Sequence, residues 1–471
     1  MASIKQVDKG GRSAARLARI RASGVACGLA LLGSFGTAAR AAPPQAPEPA
    51  QSATSATSAP EPVSSSAQRL YEQARHQLVQ VRTLLRGQGS QSSVGSGFFV
   101  GEGGLIVTNY HVVSQVALQP QRYRLTFVGA DGHDGPLELL AFDTAHDVAV
   151  VRLADAAAAA KSPVQGLNFR PRQTEPGKGE RIYSLGNPLD VGFAVVEGTY
   201  NGLVERGFTP TIFFSGSLNP GMSGGPALDG QGRVMGINVA TRLDGQQVSF
   251  LVPAQFAEDL VARARSAKPI VQPAYAEVTR QLLAYQEGLT KRFMAQSWRS
   301  AGHERYRIPV PQETFMRCWG NSTRPDVKGM EFERSECSMN QSVFVSGSLN
   351  TGSLSARHEI YDGSKLGTMR FARQYSRSFR NESFGGGPLR TASQCSERFV
   401  ESGGLPLRAV LCLNAYKKLP GLYDMGVMVA TLNDDRAGVQ GRFDARGVSF
   451  DNALKLADFY IKGYGWTPPS H

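Results

Sequence analysis

Asn219-Pro220-Gly221-Met222-Ser223-Gly224-Gly225-Pro226 sets a serine between glycines, after the apolar run Thr211-Ile212-Phe213-Phe214 and before Val234-Met235-Gly236-Ile237. Glycines carry no Cβ to block a sharp turn, so they let the backbone aim N–H groups toward the hydroxyl. A serine becomes a useful nucleophile only where a base takes its proton and donors hold the oxyanion that follows. Gly221 N–H and Ser223 N–H are the natural donor pair. Taken alone, the stretch fits an ordinary hairpin equally well.

Two upstream segments change that balance. Leu105-Ile106-Val107-Thr108-Asn109-Tyr110-His111 puts a histidine at the end of an apolar, β-branched strand, and His146-Asp147-Val148-Ala149-Val150-Val151 puts an aspartate at the start of the next. A lone histidine usually reads as structural and an aspartate at a strand edge as a turn residue. The order His, Asp, Ser is one that assembles a Ser-His-Asp triad. The residues therefore predict His111 as base, Asp147 as the group that orients it and Ser223 as nucleophile, with no metal or organic cofactor needed.

Val94-Gly95-Ser96-Gly97-Phe98-Phe99 resembles the Gly-Ser-Gly-Phe block of the HtrA/Deg-type trypsin-like serine proteases, and Thr108–Val113 resembles their histidine motif. Asp143–Val150 is similar to their Asp-x-x-x-Asp-[Leu/Ile/Val]-Ala block, whose second aspartate, here Asp147, is the triad member. Leu185-Gly186-Asn187-Pro188 and the serine turn complete five blocks in family order across residues 91–260, about a third of the chain. The resemblance implies a mainly β, chymotrypsin-fold domain of two six-stranded barrels. His111 and Asp147 would come from the first barrel and Ser223 from the second. It also implies a peptide substrate that adds as a strand beside Asn238-Val239-Ala240-Thr241. Ser217 and Leu218 would form the floor of the primary pocket and Val239, Ala240 and Thr241 its walls. With no aspartate at that floor, a cationic side chain would be desolvated without a partner, so small to medium apolar residues are expected there. The chain departs from the family at Met222, where Asn is common; this position is expected to face the oxyanion turn. No carboxylate-binding Gly-Leu-Gly-type loop follows residue 260, so regulation through a PDZ domain is not implied.

At 471 residues the chain exceeds the size at which one core stops growing, so more than one domain is expected. The formal charge of +12 is concentrated at the start: residues 1–41 carry seven Lys and Arg against Asp8, a net +6. The +6 that remains is a mild basicity that does not by itself point to nucleic acid. The same segment reads as an export signal: a basic region to Arg21, an apolar stretch from Val25 to Phe35 and a small-x-small site at Ala39-Arg40-Ala41. Cleavage there gives a periplasmic or secreted protein; retention would leave it anchored, and Cys27 raises lipidation as a further alternative. Residues 42–66, rich in Pro, Ala, Ser and Thr, read as a flexible linker. Leu70, Ala74, Leu78, Val81 and Leu85 recur at helical spacing, which predicts an amphipathic helix over 67–87.

Residues 261–299 are expected to form a connecting helix, with Val278, Leu282, Tyr285, Leu289 and Phe293 on its apolar face. Residues 300–471 read as an α+β accessory domain, with alternating runs such as Ser342–Ser346 and Gly426–Ala430 and a last helix from about Asp451. Cys318, Cys337, Cys395 and Cys412 all fall here. Four cysteines in an exported chain suggest two disulfides among three connectivities, and the short separations favour Cys318–Cys337 and Cys395–Cys412. The rival zinc reading lacks Cys-x-x-Cys or His-pair spacing. Lys365, Arg370, Arg373, Arg377 and Arg380 form a basic stretch, read either as a solvated face or as a contact for an anionic surface. Two functional classes follow. One is an exported serine endopeptidase acting on proteins in envelope quality control or processing. The other is a catalytically silent protease-fold scaffold whose C-terminal domain binds an envelope partner.

Overall fold

The computed structural model describes residues 64–467 apart from 156–164, 242–246, 300–302, 313, 325, 327, 381–385 and 433. The signal segment and nearly all of the linker expected over 1–66 lie outside the described residues. Helix α1 (Ser65–Ala74) starts where the Ser64 hydroxyl accepts the Ala67 N–H at 3.2 Å, a serine N-cap. The helix expected over 67–87 ends at Ala74, and Leu78–Leu85 is instead strand β1. Leu78, Val81 and Leu85 fit a helical period, but Val79, Val81 and Thr83 also alternate along Leu-Val-Gln-Val-Arg-Thr. β-branched side chains favour the strand, and barrel pairing on both sides settles it.

Strand β1 joins β2 (Gln91–Val100), β3 (Leu105–Thr108), β4 (Tyr123–Gly129), β5 (Asp134–Asp143) and β6 (Val148–Leu153) in a closed antiparallel barrel of order β1-β2-β3-β6-β5-β4. Helix α2 (Tyr110–Leu118) follows β3. A second closed barrel, order β10-β11-β12-β9-β8-β7, is built from β7 (Arg181–Gly186), β8 (Ala194–Leu203), β9 (Ile212–Phe214), β10 (Pro226–Leu228), β11 (Val234–Thr241) and β12 (Ser249–Pro253). Strand β6 opens on the apolar run Val148–Val151, which is buried on both sides. Ala149 and Val151 enter the first barrel's core, and Val148 and Val150 pack in a second cluster with helix α3 (Ala254–Ala264).

Helix α4 (Tyr275–Met294) leads into the C-terminal region. There β13 (Tyr306–Arg307) precedes β14 (Arg317–Ser322), β15 (Glu331–Ser338), the hairpin of β16 (Val343–Ser346) and β17 (Leu349–Thr351), and β18 (Ser353–Asp362). After helix α5 (Thr368–Ser378) come β19 (Gln394–Ser402), β20 (Leu405–Ala415), β21 (Tyr423–Thr431), β22 (Ala437–Val448), helix α6 (Phe450–Lys462) and β23 (Gly465–Trp466), which pairs with β13. Seven of these strands form one antiparallel sheet of order β14-β15-β18-β22-β21-β20-β19. Its two outer strands are each bonded covalently to the next. Cys318 on β14 lies opposite Cys337 on β15, Cys395 on β19 lies opposite Cys412 on β20, and both pairs are disulfides. The basic stretch lies on and around α5, which anchors itself through buried Phe371 and through Tyr375, whose hydroxyl donates to Val439 O at 2.8 Å. Lys365 pairs with Glu331, while Arg370, Arg373, Arg377 and Arg380 are exposed.

The apolar core does not stop at the end of the barrels. One cluster of buried residues runs from Val113 and Leu139 of the first barrel through Leu282, Leu289 and Phe293 of α4 to Phe443 and Tyr460 beyond. Phe293 stacks on Phe443 with ring centroids 5.3 Å apart. On the other side, Gln281 of α4 accepts the Thr144 N–H and hydroxyl and donates to Phe142 O, each within 2.9 Å. A core shared in this way predicts that barrels and C-terminal sheet unfold together in urea, in one transition by fluorescence and circular dichroism. Phe293→Ala should lower that stability by about 3–5 kcal/mol. Two well-separated transitions would contradict the shared core.

Candidate active site

His111 and Asp147 pair directly, and the serine turn packs on Ser96, Thr108 and Asn109 just before the histidine. His111 sits in the first turn of α2, three residues beyond the end of β3, the strand end where the sequence suggested it. Asp147 precedes β6 with a left-handed backbone, φ 56°, a conformation uncommon for a residue with a side chain. Its carbonyl accepts from Asn109 Nδ2 at 2.7 Å and from Tyr110 N–H at 3.2 Å, which holds that conformation in place. Its carboxylate then grips His111 at two points. Oδ1 accepts the His111 backbone N–H at 2.8 Å, and Oδ2 lies 2.6 Å from Nδ1. The ring nitrogen facing Oδ2 is thereby assigned as the proton carrier, leaving Nε2 as the basic position. Burial disfavours a charged imidazole here, but the Asp147 charge and its hydrogen bond outweigh that and raise the His111 pKa above its ordinary 6.5.

The serine turn is seated against the same segment. Gly221 has φ +95°, and a Cβ there would lie 2.4 Å from Asn187 O. Gly224 has φ +88°, and a Cβ would come within 2.2 Å of Ser96 O and 2.4 Å of Thr108 Oγ1. Only glycine satisfies both turn and approach at these two positions. Ser96 of the Gly-Ser-Gly-Phe block joins the barrels: its N–H donates to Ser223 O at 2.7 Å, and its hydroxyl donates to Gly221 O at 2.7 Å and accepts from Asn187 N–H at 2.9 Å. Leu189 N–H donates to Pro220 O at 2.8 Å, which fixes the Pro220–Gly221 peptide plane. Among the described residues neither Gly221 N–H nor Ser223 N–H donates to an acceptor of the chain, so the predicted donor pair is unspent. Ser223 Oγ is turned toward Val239 O at 3.4 Å, a long contact of the kind that reorganises when substrate binds.

Met222, expected to face the oxyanion turn, has its side chain fully buried in the second barrel's core with Leu218, Phe214 and Ile182. Of the proposed pocket floor, Leu218 is buried in that same cluster and Ser217 is exposed. Val239, Ala240 and Thr241 lie on β11, where Ala240 and Thr241 pair with Phe250 and Ser249 of β12. Among the described residues no group of three His, Cys, Asp or Glu is disposed to hold a metal ion. Sequence reasoning gave no side-chain role to Asn109, Ser96 or Asn238. Asn238 donates to Leu185 O and Met222 O at 2.9 and 3.2 Å and so holds the nucleophile turn from beneath. Ser96 stood inside a quoted motif and could have been found; Asn109, beside the histidine, likewise.

Residues 95–237 match the trypsin-like peptidase domain family. The segment is similar to the HtrA-type trypsin-like serine proteases. The chain is 31% identical over 178 residues to the putative serine protease HhoB of Synechocystis sp., covering 36% of this chain and 40% of that protein. It is 31% identical over 192 residues to a probable periplasmic serine endoprotease, DegP-like, of Marinomonas sp., covering 38% and 37% respectively. The chain thus spans about two fifths of the length of these curated relatives. Among solved structures, the serine endoprotease from Yersinia pestis aligns with a TM-score of 0.37 at 23% identity, over 44% of this chain and 69% of that one.

The direction of the His111 shift has a kinetic consequence. The base must be neutral to take a proton, so acylation of Ser223 by p-nitrophenyl acetate should rise with pH through an inflection above 6.5. In Asp147→Asn the rate should fall and the inflection should move to lower pH, because the charge that favours imidazolium is gone. An inflection that stays in place in the variant would contradict this geometry.

Proposed function

We propose that the chain is an exported serine endopeptidase that hydrolyses peptide bonds of envelope proteins, in quality control or processing. The observation that carries the reading is the two-point grip of Asp147 on His111 beside a serine turn whose two N–H groups meet no acceptor among the described residues. Ser223 Oγ attacks the scissile carbonyl as His111 Nε2 takes its proton; the Gly221 and Ser223 amides receive the developing oxyanion; His111 then protonates the leaving amine. Asp147 keeps the imidazole in the required tautomer and stabilises its protonated form. Water repeats the sequence on the acyl-enzyme. Export is supported by the basic and apolar N-terminal segment and by the periplasmic designation of the DegP-like relatives. No helix among the described residues is long and apolar enough to cross a membrane.

The substrate lies as an added strand along β11, with backbone pairing giving affinity and pockets giving selectivity. The primary pocket, bordered by Ser217 and Val239 above the buried Leu218, carries no charge at its floor, which favours Ala, Val or Leu before the scissile bond. Apolar residues that differ by a methylene are separated there by only about 1–3 kcal/mol, so discrimination among them is loose.

Ser223→Ala should reduce cleavage of denatured casein by on the order of a millionfold, with the fold intact by circular dichroism. Comparable cleavage by the purified variant would remove Ser223 from the mechanism. Cleavage confined to sites after Arg, Lys or Glu would contradict the pocket while leaving the serine mechanism standing.

A further inference from the structure

The C-terminal domain reaches the catalytic centre. The connection from β15 into β16 lies against the loop between β8 and β9, and the Gln341 side chain binds it at four points. Gln341 Oε1 accepts from Phe208 N–H and Thr209 N–H, and Nε2 donates to Thr209 O and Thr211 Oγ1, all within 2.7–3.1 Å. Val345 O accepts the Tyr110 hydroxyl at 3.0 Å, on the residue beside the catalytic histidine. The Phe344 ring meets His111 edge-on, with centroids 6.0 Å apart.

A cleft of about 1130 Å³ lies between these parts. One side is peptidase: Asp147, Val239, Phe213 and Phe250. The other is contributed by the C-terminal domain through Arg317, Asn340, Gln341 and Ser342. This is the Val239 side of the nucleophile, where the residues preceding the scissile bond would run beside β11. Arg317 opens β14 opposite Ser338 at the end of β15, so the sheet delivers it to the same rim as residues 340–342. Its Nε is buried and meets no hydrogen-bond partner among the described residues. A buried guanidinium N–H without an acceptor is costly, and a carboxylate is the acceptor whose geometry fits it best. Glu205 and Arg206 also line the cleft, but both are exposed at its peptidase rim and leave Arg317 the more desolvated charge.

We propose that the C-terminal domain forms the outer wall of the substrate cleft, and that Arg317 selects peptides carrying an acidic side chain upstream of the scissile bond. The proposal rests on the peptidase reading above and extends it to specificity. It is tested with the full mature protein and quenched-fluorescence peptides of one apolar cleavage site, with Glu or Gln placed in turn at each of the three positions before the pocket residue. At one position the Glu peptide should exceed its Gln counterpart in kcat/KM by on the order of tenfold. Arg317→Gln should bring that ratio close to one, and Arg317→Lys should restore part of it. Cleavage of the peptides with no preference for Glu at any position, or a preference that survives Arg317→Gln, overturns the proposal alone. Cleavage of none of them overturns the peptidase reading, and the proposal with it.

Discussion

Two oxygen atoms of Asp147 set the working state of the site. With Oδ1 on the backbone of His111 and Oδ2 on its ring, the carboxylate fixes both where the histidine lies and which nitrogen carries its proton. One contact would orient the ring; two also lock the first turn of α2 against the start of β6. The strain of the left-handed Asp147 backbone is local and is held by Asn109 and Tyr110, the two residues before the histidine. The loop that carries Asp147 is held from behind by Gln281 of α4, so this aspartate is braced by the helix that leads into the C-terminal domain.

The nucleophile turn depends on a second constraint, close approach of backbone to backbone. Ser223 and Gly224 press against Ser96, Thr108 and Asn109 so tightly that a single Cβ at position 224 would overlap three neighbours. This contact is where the barrels register on each other at the site, and Ser96 secures it through three hydrogen bonds. Pre-positioned N–H donors in such a turn need little reorganisation when charge develops, which is how a rigid scaffold lowers a barrier.

The His111–Asp147 pair and the tight serine turn were legible because the chemistry proposed for them demands particular residue types in a particular order, each bordered by an apolar strand. Both disulfides were legible from short separations, and the structure adds why they matter: each fastens an outer strand of the seven-stranded sheet. The segment after α1 misled because Leu78, Val81 and Leu85 satisfy two periods at once, and pairing with β2 and β4 decides between them. Met222 and Leu218 were placed by their distance from Ser223, yet both side chains enter the barrel core, where volume and not chemistry selects them. The side of the cleft lined by Arg317 and residues 340–342 had no sequence signal, since these residues lie more than 90 positions from Ser223 and meet the cleft only through the fold.

The C-terminal domain is packed into the same core as the two barrels and lines the same cleft. On the reading proposed above, Ser223 is an activated nucleophile in the folded protein. Intact-mass spectrometry after exposure of the purified mature chain to a fluorophosphonate measures this directly. The account predicts one adduct per chain, mapped to Ser223 and lost in His111→Ala. A folded protein that takes up no adduct, or takes it up at another residue, would contradict it.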